Sequence, residues 1–263
     1  MSQWRSALIT GAANGIGKEL ALLVAEKVEN LILFDLDDSD DFRSLSKSCE
    51  RAGARVQFFA GDVRSLQDLQ SCLDKIGPLA LELDLVIANA GISPEISMRQ
   101  SGVERVRLME TNYYGVANLF EILIEKWSKV GRSFSQIDLV AMSSISSLVS
   151  TQNSGTYSAS KAALSKYLSG LRLFHFESGL RVHEVVCGFV NTRVNIGLKH
   201  AGGIMIEPAT AAEKILRAIQ SRTRRRHSIP FFRNSPWFIL SLLPTNLRDW
   251  FLVLLYKKIY KKN

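Results

Sequence analysis

Gly11, Gly15 and Gly17 stand in the run Thr10-Gly-Ala-Ala-Asn-Gly-Ile-Gly17, between an apolar stretch, Ser6–Thr10, and a segment of helical period over 15–28. A strand that passes through a tight glycine turn directly into a helix constrains the rest of the topology: the next strand lies parallel to it, with the helix crossing over one face of the sheet. The pattern then repeats. Candidate strands occupy 31–35, 55–60, 83–88, 137–143 and 181–187, with a shorter one at 227–231, and helical patterns fill 42–52, 66–76, 103–127, 157–178 and 209–221. The alternation predicts an α/β fold, a single Rossmann-type doubly wound parallel sheet of about seven strands with helices on both faces. No linker or repeat divides it. Residues 1–230 read as one dinucleotide-binding and catalytic domain with a substrate loop at 189–208, and residues 231–263 as a C-terminal amphipathic extension.

The glycine loop has a chemical reason as well as a structural one. Gly11 makes the tight turn after Thr10, Gly15 lets the backbone approach a pyrophosphate, and Gly17 allows the helix to pack close to the strand. Amides of Asn14, Ile16 and their neighbours then face a negative charge at a helix N-terminus. Asp35 ends the second strand, eighteen residues after Gly17, where a carboxylate can accept from both hydroxyls of an adenosine ribose and repel a 2′-phosphate. The variable loop positions Ala12, Ala13 and Asn14 carry no base, so NAD is expected over NADP, with Arg55 or Lys18 as the bases that could compensate. Asp62 and Val63 follow the third strand, at the place of an adenine amino group, and Asn89, Ala90 and Gly91 follow the fourth, beside the ribose or as a turn tying two strands together.

Tyr157 and Lys161 are one helical turn apart and share a face. An ammonium near a phenol favours the phenolate, and lowering a tyrosine by roughly 3 units takes about 4 kcal/mol, which a lysine and a bound cationic cofactor could supply. Ser144, thirteen residues upstream, is placed to hold a substrate oxygen. Such a set moves a proton near neutral pH and needs no metal. Cys49, Cys72 and Cys187 lack CxxC spacing and indicate neither disulfides nor zinc, which fits a reducing cytoplasm. The N-terminus, Met-Ser-Gln-Trp-Arg, runs straight into the first strand, and no export signal is expected.

These residues, in this order and spacing, resemble the short-chain dehydrogenase/reductase superfamily over roughly residues 5–230. The resemblance implies that Tyr157 is the general acid/base, Lys161 the group that lowers its pKa and holds the nicotinamide ribose, Ser144 the oxygen anchor and Asn112 the end of a proton-relay water chain. It implies that Val190 and Thr192 contact the nicotinamide carboxamide. The chain departs from the family at Ala88-Asn-Ala-Gly91, where Asn-Asn-Ala-Gly is usual, and at Cys187-Gly188, where Pro-Gly is usual. An alcohol dehydrogenase or ketone reductase follows from the intact set, and a nucleotide-sensing or scaffolding protein on the same fold is the alternative. Epimerase or dehydratase chemistry is disfavoured by the short chain.

The net charge of +8 is local. Residues 217–263 hold 11 Lys or Arg and one acid, Asp249, whereas the residues before them hold 22 bases and 24 acids. In the tail, Arg222-Thr-Arg-Arg-Arg226 precedes the apolar runs at 236–243 and 250–256 and the pairs Lys257-Lys258 and Lys261-Lys262. The runs are short of the ~20 residues that span a bilayer. Three uses remain: lying on an anionic membrane surface from the cytoplasmic side, forming a homodimer or homotetramer contact or a flap over the pocket, or, least favoured, binding nucleic acid. Loosely, the tail resembles that of reductases acting on lipid-linked glycan precursors, which implies a lipid-like or lipid-linked carbonyl or alcohol substrate. The loop at 191–207, with Gly197, Gly202 and Gly203 and an apolar set including Ile196 and Ile204, reads as a substrate lid or as a plain surface loop.

Overall fold

A computed structural model of the chain describes residues 4–93, 101–150, 154–192, 205–221 and 226–260. Seven strands, β1 (Ser6–Thr10), β2 (Asn30–Asp35), β3 (Arg55–Ala60), β4 (Leu85–Ala88), β5 (Asp138–Ser144), β6 (Arg181–Cys187) and β7 (Arg226–Ile229), form one sheet in the order β3-β2-β1-β4-β5-β6-β7. Every pairing is parallel. The order reverses between β1 and β4, so a crevice opens beyond the C-terminal ends of these two strands, where ligands of such sheets bind.

Alternation along the strands divides the interior into two layers. Ala7, Ile9, Leu31 and Leu33 face a core shared with α1 (Gly15–Ala25), α2 (Asp40–Arg51) and α7 (Pro208–Gln220). Leu8, Ile32 and Phe34 face the other, with α3 (Leu66–Lys75), α5 (Gly115–Lys129) and α6 (Gly155–Phe174). Both faces are therefore covered, which is why these strands are apolar throughout.

Several boundaries differ from the sequence expectation, the largest of them for identifiable reasons. The helix expected over 103–127 is broken into α4 (Gly102–Met109), a π turn (Glu110–Tyr114) and α5. The extra residue of that turn brings Asn112 inward, to full burial. The last strand ends at Ile229, because Pro230 has no N–H to extend the ladder, and α8 (Phe231–Ser241) starts there. A further helix, α9 (Thr245–Tyr260), comes after it. Residues 193–204, most of the expected lid, and 222–225, most of the arginine cluster, lie outside the described residues.

At the N-terminal ends of β5 and β6 a buried polar cluster joins the sheet to the start of the chain. Asp138 accepts from Trp4 Nε1 at 2.6 Å, from Arg181 Nε and Nη2 at 2.7 and 2.8 Å, and pairs with His183 Nε2 at 2.8 Å. Burial raises a carboxyl, but the bonds from His183, Arg181 and Trp4 outweigh it and hold Asp138 at about 2. An ionised carboxylate only accepts, so His183 donates from Nε2.

Candidate active site

The loop after β1 is shaped by close approach. Gly11 and Gly15 have φ of +65° and +55°, and a Cβ on Gly11 would lie 2.7 Å from the Ala90 backbone. One on Gly17 would collide with the Gly11 carbonyl. The Thr10 hydroxyl accepts from the amides of Asn89 and Ala90, both at 3.2 Å, and the Asn89 side chain donates to the Gly11 carbonyl at 2.8 Å. Asn89 thus ties the two loops that flank the crevice. Asn14 precedes α1 in extended conformation, and no side chain caps the first amides of that helix. Ile16 packs on the core beneath them. Backbone that nothing with a Cβ could replace, opening on an uncapped helix N-terminus, fits a dinucleotide pyrophosphate.

The Asp35 carboxylate stands at the end of β2 and accepts from Ala13 N at 2.7 Å and Asp37 N at 3.1 Å. Each oxygen keeps further acceptor capacity. Arg55 lies at the other end of β3, opposite Asn30, whereas Asp35 is opposite Ala60, so Arg55 does not compensate the carboxylate. Asp62 is held by Arg64, whose guanidinium engages both carboxylate oxygens, and this pairing keeps Asp62 below its ordinary value. Val63 beside it is buried against Gly115. Arg64 was not among the expected residues. A base two positions after a turn aspartate is nevertheless a legible signal.

On the other side of the crevice, β5 ends at Ser144 and α6 begins two residues before Tyr157. The Ser144 hydroxyl accepts from Ser146 N at 3.1 Å and lies near enough to the Tyr157 phenol to lower it. The neighbouring Ser143 and Ser147 hydroxyls are buried without a partner among the described residues. Lys161 is buried one turn further, with Nζ 2.8 Å from the Met142 carbonyl and 6.0 Å from the centroid of the Tyr157 ring. Asn112 Oδ1 accepts from Ile92 N at 2.8 Å, and its Nδ2 donates to Ile92 O at 2.9 Å and Ser160 Oγ at 3.1 Å. Gly91 lies over this group: a Cβ there would be 3.2 Å from Asn112 Oδ1 and 3.5 Å from Lys161 Nζ.

The family model for the short chain dehydrogenases matches residues 5–201. The chain belongs to that family. Among its relatives, this short-chain dehydrogenase is 30% identical over 196 residues to a cis-4-hydroxycyclohexanecarboxylate dehydrogenase of Sinomonas cyclohexanicum, covering 74% of this chain and 76% of that one. An uncharacterised oxidoreductase of Myxococcus xanthus is 28% identical over 250 residues, 94% of this chain and 95% of its own, a span that reaches beyond the family match into the tail. In fold, it resembles a short-chain dehydrogenase of Sphingobium yanoikuyae solved with NADPH, at a TM-score of 0.76 and 19% identity over 92% of this chain and 97% of that one. It also resembles one of Mycobacterium paratuberculosis bound to NAD, at a TM-score of 0.73 and 22% identity over 86% and 96% of the two chains. The chain is an oxidoreductase of the class that acts on alcohols and carbonyls with NAD or NADP.

Within this dehydrogenase, burial governs the site's titration. It raises the Tyr157 phenol above its ordinary value, against the lowering effect of the Ser144 hydroxyl, and it depresses Lys161 to about 8. Lys161 Nζ donates to the Met142 carbonyl, a main-chain acceptor that side-chain spacing does not reveal, and no bond from it to the phenol is present among the described residues. Cys187 sits opposite Ser144 in the β5–β6 register, and burial pushes its thiol up to about 12. That makes it an inert neighbour of Tyr157 and Lys161 rather than a nucleophile. Beyond β6, Val190 is buried and bridges Ile206, while Asn191 N donates to the Ile206 carbonyl at 2.9 Å, so the residues on either side of 193–204 are joined. Thr192 closes on the glycine loop, its Cγ2 3.2 Å from where a Cβ of Gly15 would stand.

Proposed function

We propose that this dehydrogenase interconverts a secondary alcohol and a ketone with NAD, and that Tyr157 is the general acid/base. The observation that carries this reading is the half-buried Tyr157, its phenol close enough to the Ser144 hydroxyl to be lowered by it, one turn before the buried Lys161. When bound, the nicotinamide supplies or accepts the hydride. In reduction the carbonyl carbon gains that hydride, the Ser144 hydroxyl donates to the carbonyl oxygen, and the Tyr157 O–H bond breaks as its proton passes to the developing alkoxide. Lys161, protonated below about pH 8, opposes the negative charge left on the phenol oxygen. Oxidation runs these steps backwards and needs Tyr157 deprotonated at the start. Asn112 holds the loop after β4 through Ile92, which supports its role at the head of a water chain to Lys161.

Gly11, Asn14, Gly15, Ile16 and Gly17 would hold the pyrophosphate, Asp35 the adenosine ribose with Asn89, Ala90 and Gly91 beside it, Asp62 and Val63 the adenine, and Val190 and Thr192 the carboxamide. Asp35, with no base in the loop opposite, supports NAD over NADP. The basic, apolar tail supports a lipid-like or lipid-linked substrate met at the cytoplasmic face of a membrane, and the family supports a homodimer or homotetramer. A nucleotide sensor without turnover has no use for Tyr157 and is the weaker reading. Screening ketones and secondary alcohols, water-soluble and lipid-linked, with both cofactors tests the proposal. No turnover of any carbonyl by a protein that binds NADH tightly would refute it.

A further inference from the structure

Among the described residues, eight of the seventeen exposed large apolar side chains lie on α8, α9 and the turn between them. Five belong to α9: Leu247, Trp250, Phe251, Val253 and Leu254. At about 100° per residue they fall within an arc of roughly 160°, and Leu252 and the three-quarters-buried Arg248 side chain lie outside it. Among the described residues no element packs extensively against α9, whereas α8 lies against β7 and against the 3-10 turn Ile145–Ser147 that follows Ser144. Arg226 fixes that arrangement. Its guanidinium reaches both oxygens of the buried Glu184 at 3.3 Å and stands 5.6 Å from the centroid of the Phe238 ring on α8.

Charge decides what covers this face. The segment 217–263 holds 11 bases and one acid, and Lys257, Lys258, Lys261 and Lys262 come after the apolar arc along the chain. Two copies of this segment repel one another, whereas an anionic bilayer satisfies both the charge and the apolar arc. The helix has 16 residues, with Arg248 and Asp249 inside it, and no helix among the described residues is long and apolar enough to cross a membrane. We infer that α9 lies in the surface of an anionic lipid bilayer and that α8 holds the Ser144 mouth of the active site beside that surface. The inference deepens, and for its purpose rests on, the reading of an amphiphilic substrate: a ketone on a lipid would reach Tyr157 without leaving the membrane.

The test uses the full chain, flotation with phosphatidylglycerol or phosphatidylcholine vesicles, and no substrate. Binding roughly tenfold tighter to phosphatidylglycerol, weakened by salt, is expected. Lipids brominated on their acyl chains quench tryptophan emission, and the quenching falls in Trp250→Leu although that variant still floats. The double variant Trp250→Glu/Phe251→Glu loses vesicle binding roughly tenfold or more while its NADH affinity, the control for folding, is unchanged. Absence of binding to phosphatidylglycerol at low salt overturns the inference. So does a double variant that floats as well as the parent, or one that only converts an oligomer to monomers. Turnover of a water-soluble ketone is measured in parallel: an enzyme that reduces it but does not float refutes the docking alone, and one that floats but reduces nothing refutes the reaction alone.

Discussion

Lys161 donates to the main-chain carbonyl of Met142 at 2.8 Å, and this bond, rather than one to the phenol, fixes where its charge sits. Burial brings its amine from 10.5 down to about 8. Between these values the unfolded chain binds a proton that the folded chain has released, so the stability of the cofactor-free protein rises with pH across that window. The cost, about 3 kcal/mol, is fully present below pH ~8. In Lys161→Met the lysine titration is absent, and the stability difference between the two proteins should change by that amount between about pH 8 and 10. Thermal melts of both across the window measure it, and parallel curves would rule the depressed lysine out.

Tyr157→Phe removes one oxygen from a site whose other groups stay in place. General acid/base catalysis contributes about 10² to 10⁴-fold, so carbonyl reduction should fall roughly a thousandfold with NADH affinity within a few-fold of the parent. Because burial raises the phenol, the parent holds its proton at neutral pH, ready to reduce but not to oxidise. Alcohol oxidation should therefore climb with pH where reduction does not. A phenylalanine variant that retains near-full turnover would remove Tyr157 from the mechanism.

How far the chain was legible depends on which interactions are local. β1, β3 and β6 match the sequence reading residue for residue, because each is a short run rich in β-branched, aliphatic or aromatic residues between turn signals. The glycine loop was legible because its conformation excludes a side chain. The π turn at Asn112 was not, since it depends on a bond to Ile92, twenty residues earlier, that leaves no periodic trace. Nor was the direction of Lys161: helical spacing placed it beside Tyr157, and only the position of β5 shows that a backbone carbonyl claims it. The tail read as basic and apolar without its two helices, because Pro236 interrupts α8 and α9 carries apolar residues such as Leu252 outside its exposed arc as well as within it, which blurs the helical period.

Asp35→Asn isolates charge from geometry at the cofactor end. The amide keeps an oxygen for the Ala13 N–H, which the carboxylate accepts at 2.7 Å, and removes only the negative charge that would face a 2′-phosphate. The ratio of NADPH to NADH affinity should rise by roughly tenfold, about 1.4 kcal/mol. Fluorescence titration with each cofactor reads it directly, and an unchanged ratio, or a parent that already prefers NADPH, would show that Asp35 does not select the cofactor.

Asp138→Asn tests the opposite, N-terminal end of the strands. The carboxylate there serves Trp4, Arg181 and His183 at once, and an amide offers one acceptor oxygen in place of two, leaving Arg181 and its neighbours buried and short of partners. Breaking a buried ionic cluster costs about 3 to 5 kcal/mol, which in a chain of this size lowers the melting temperature by roughly 10 °C. Since Asp138 is held at about 2, below its ordinary 3.8, its contribution is complete above pH ~4 and fades as pH falls through that interval. The gap between parent and variant should accordingly close toward pH ~2. The cluster lies at the strand ends remote from Ser144 and Cys187, so NADH affinity should stay within a few-fold. A variant as stable as the parent at neutral pH would mean that the cluster is replaceable by packing alone, and one that loses NADH binding while still folded would mean that the two ends of the sheet are coupled.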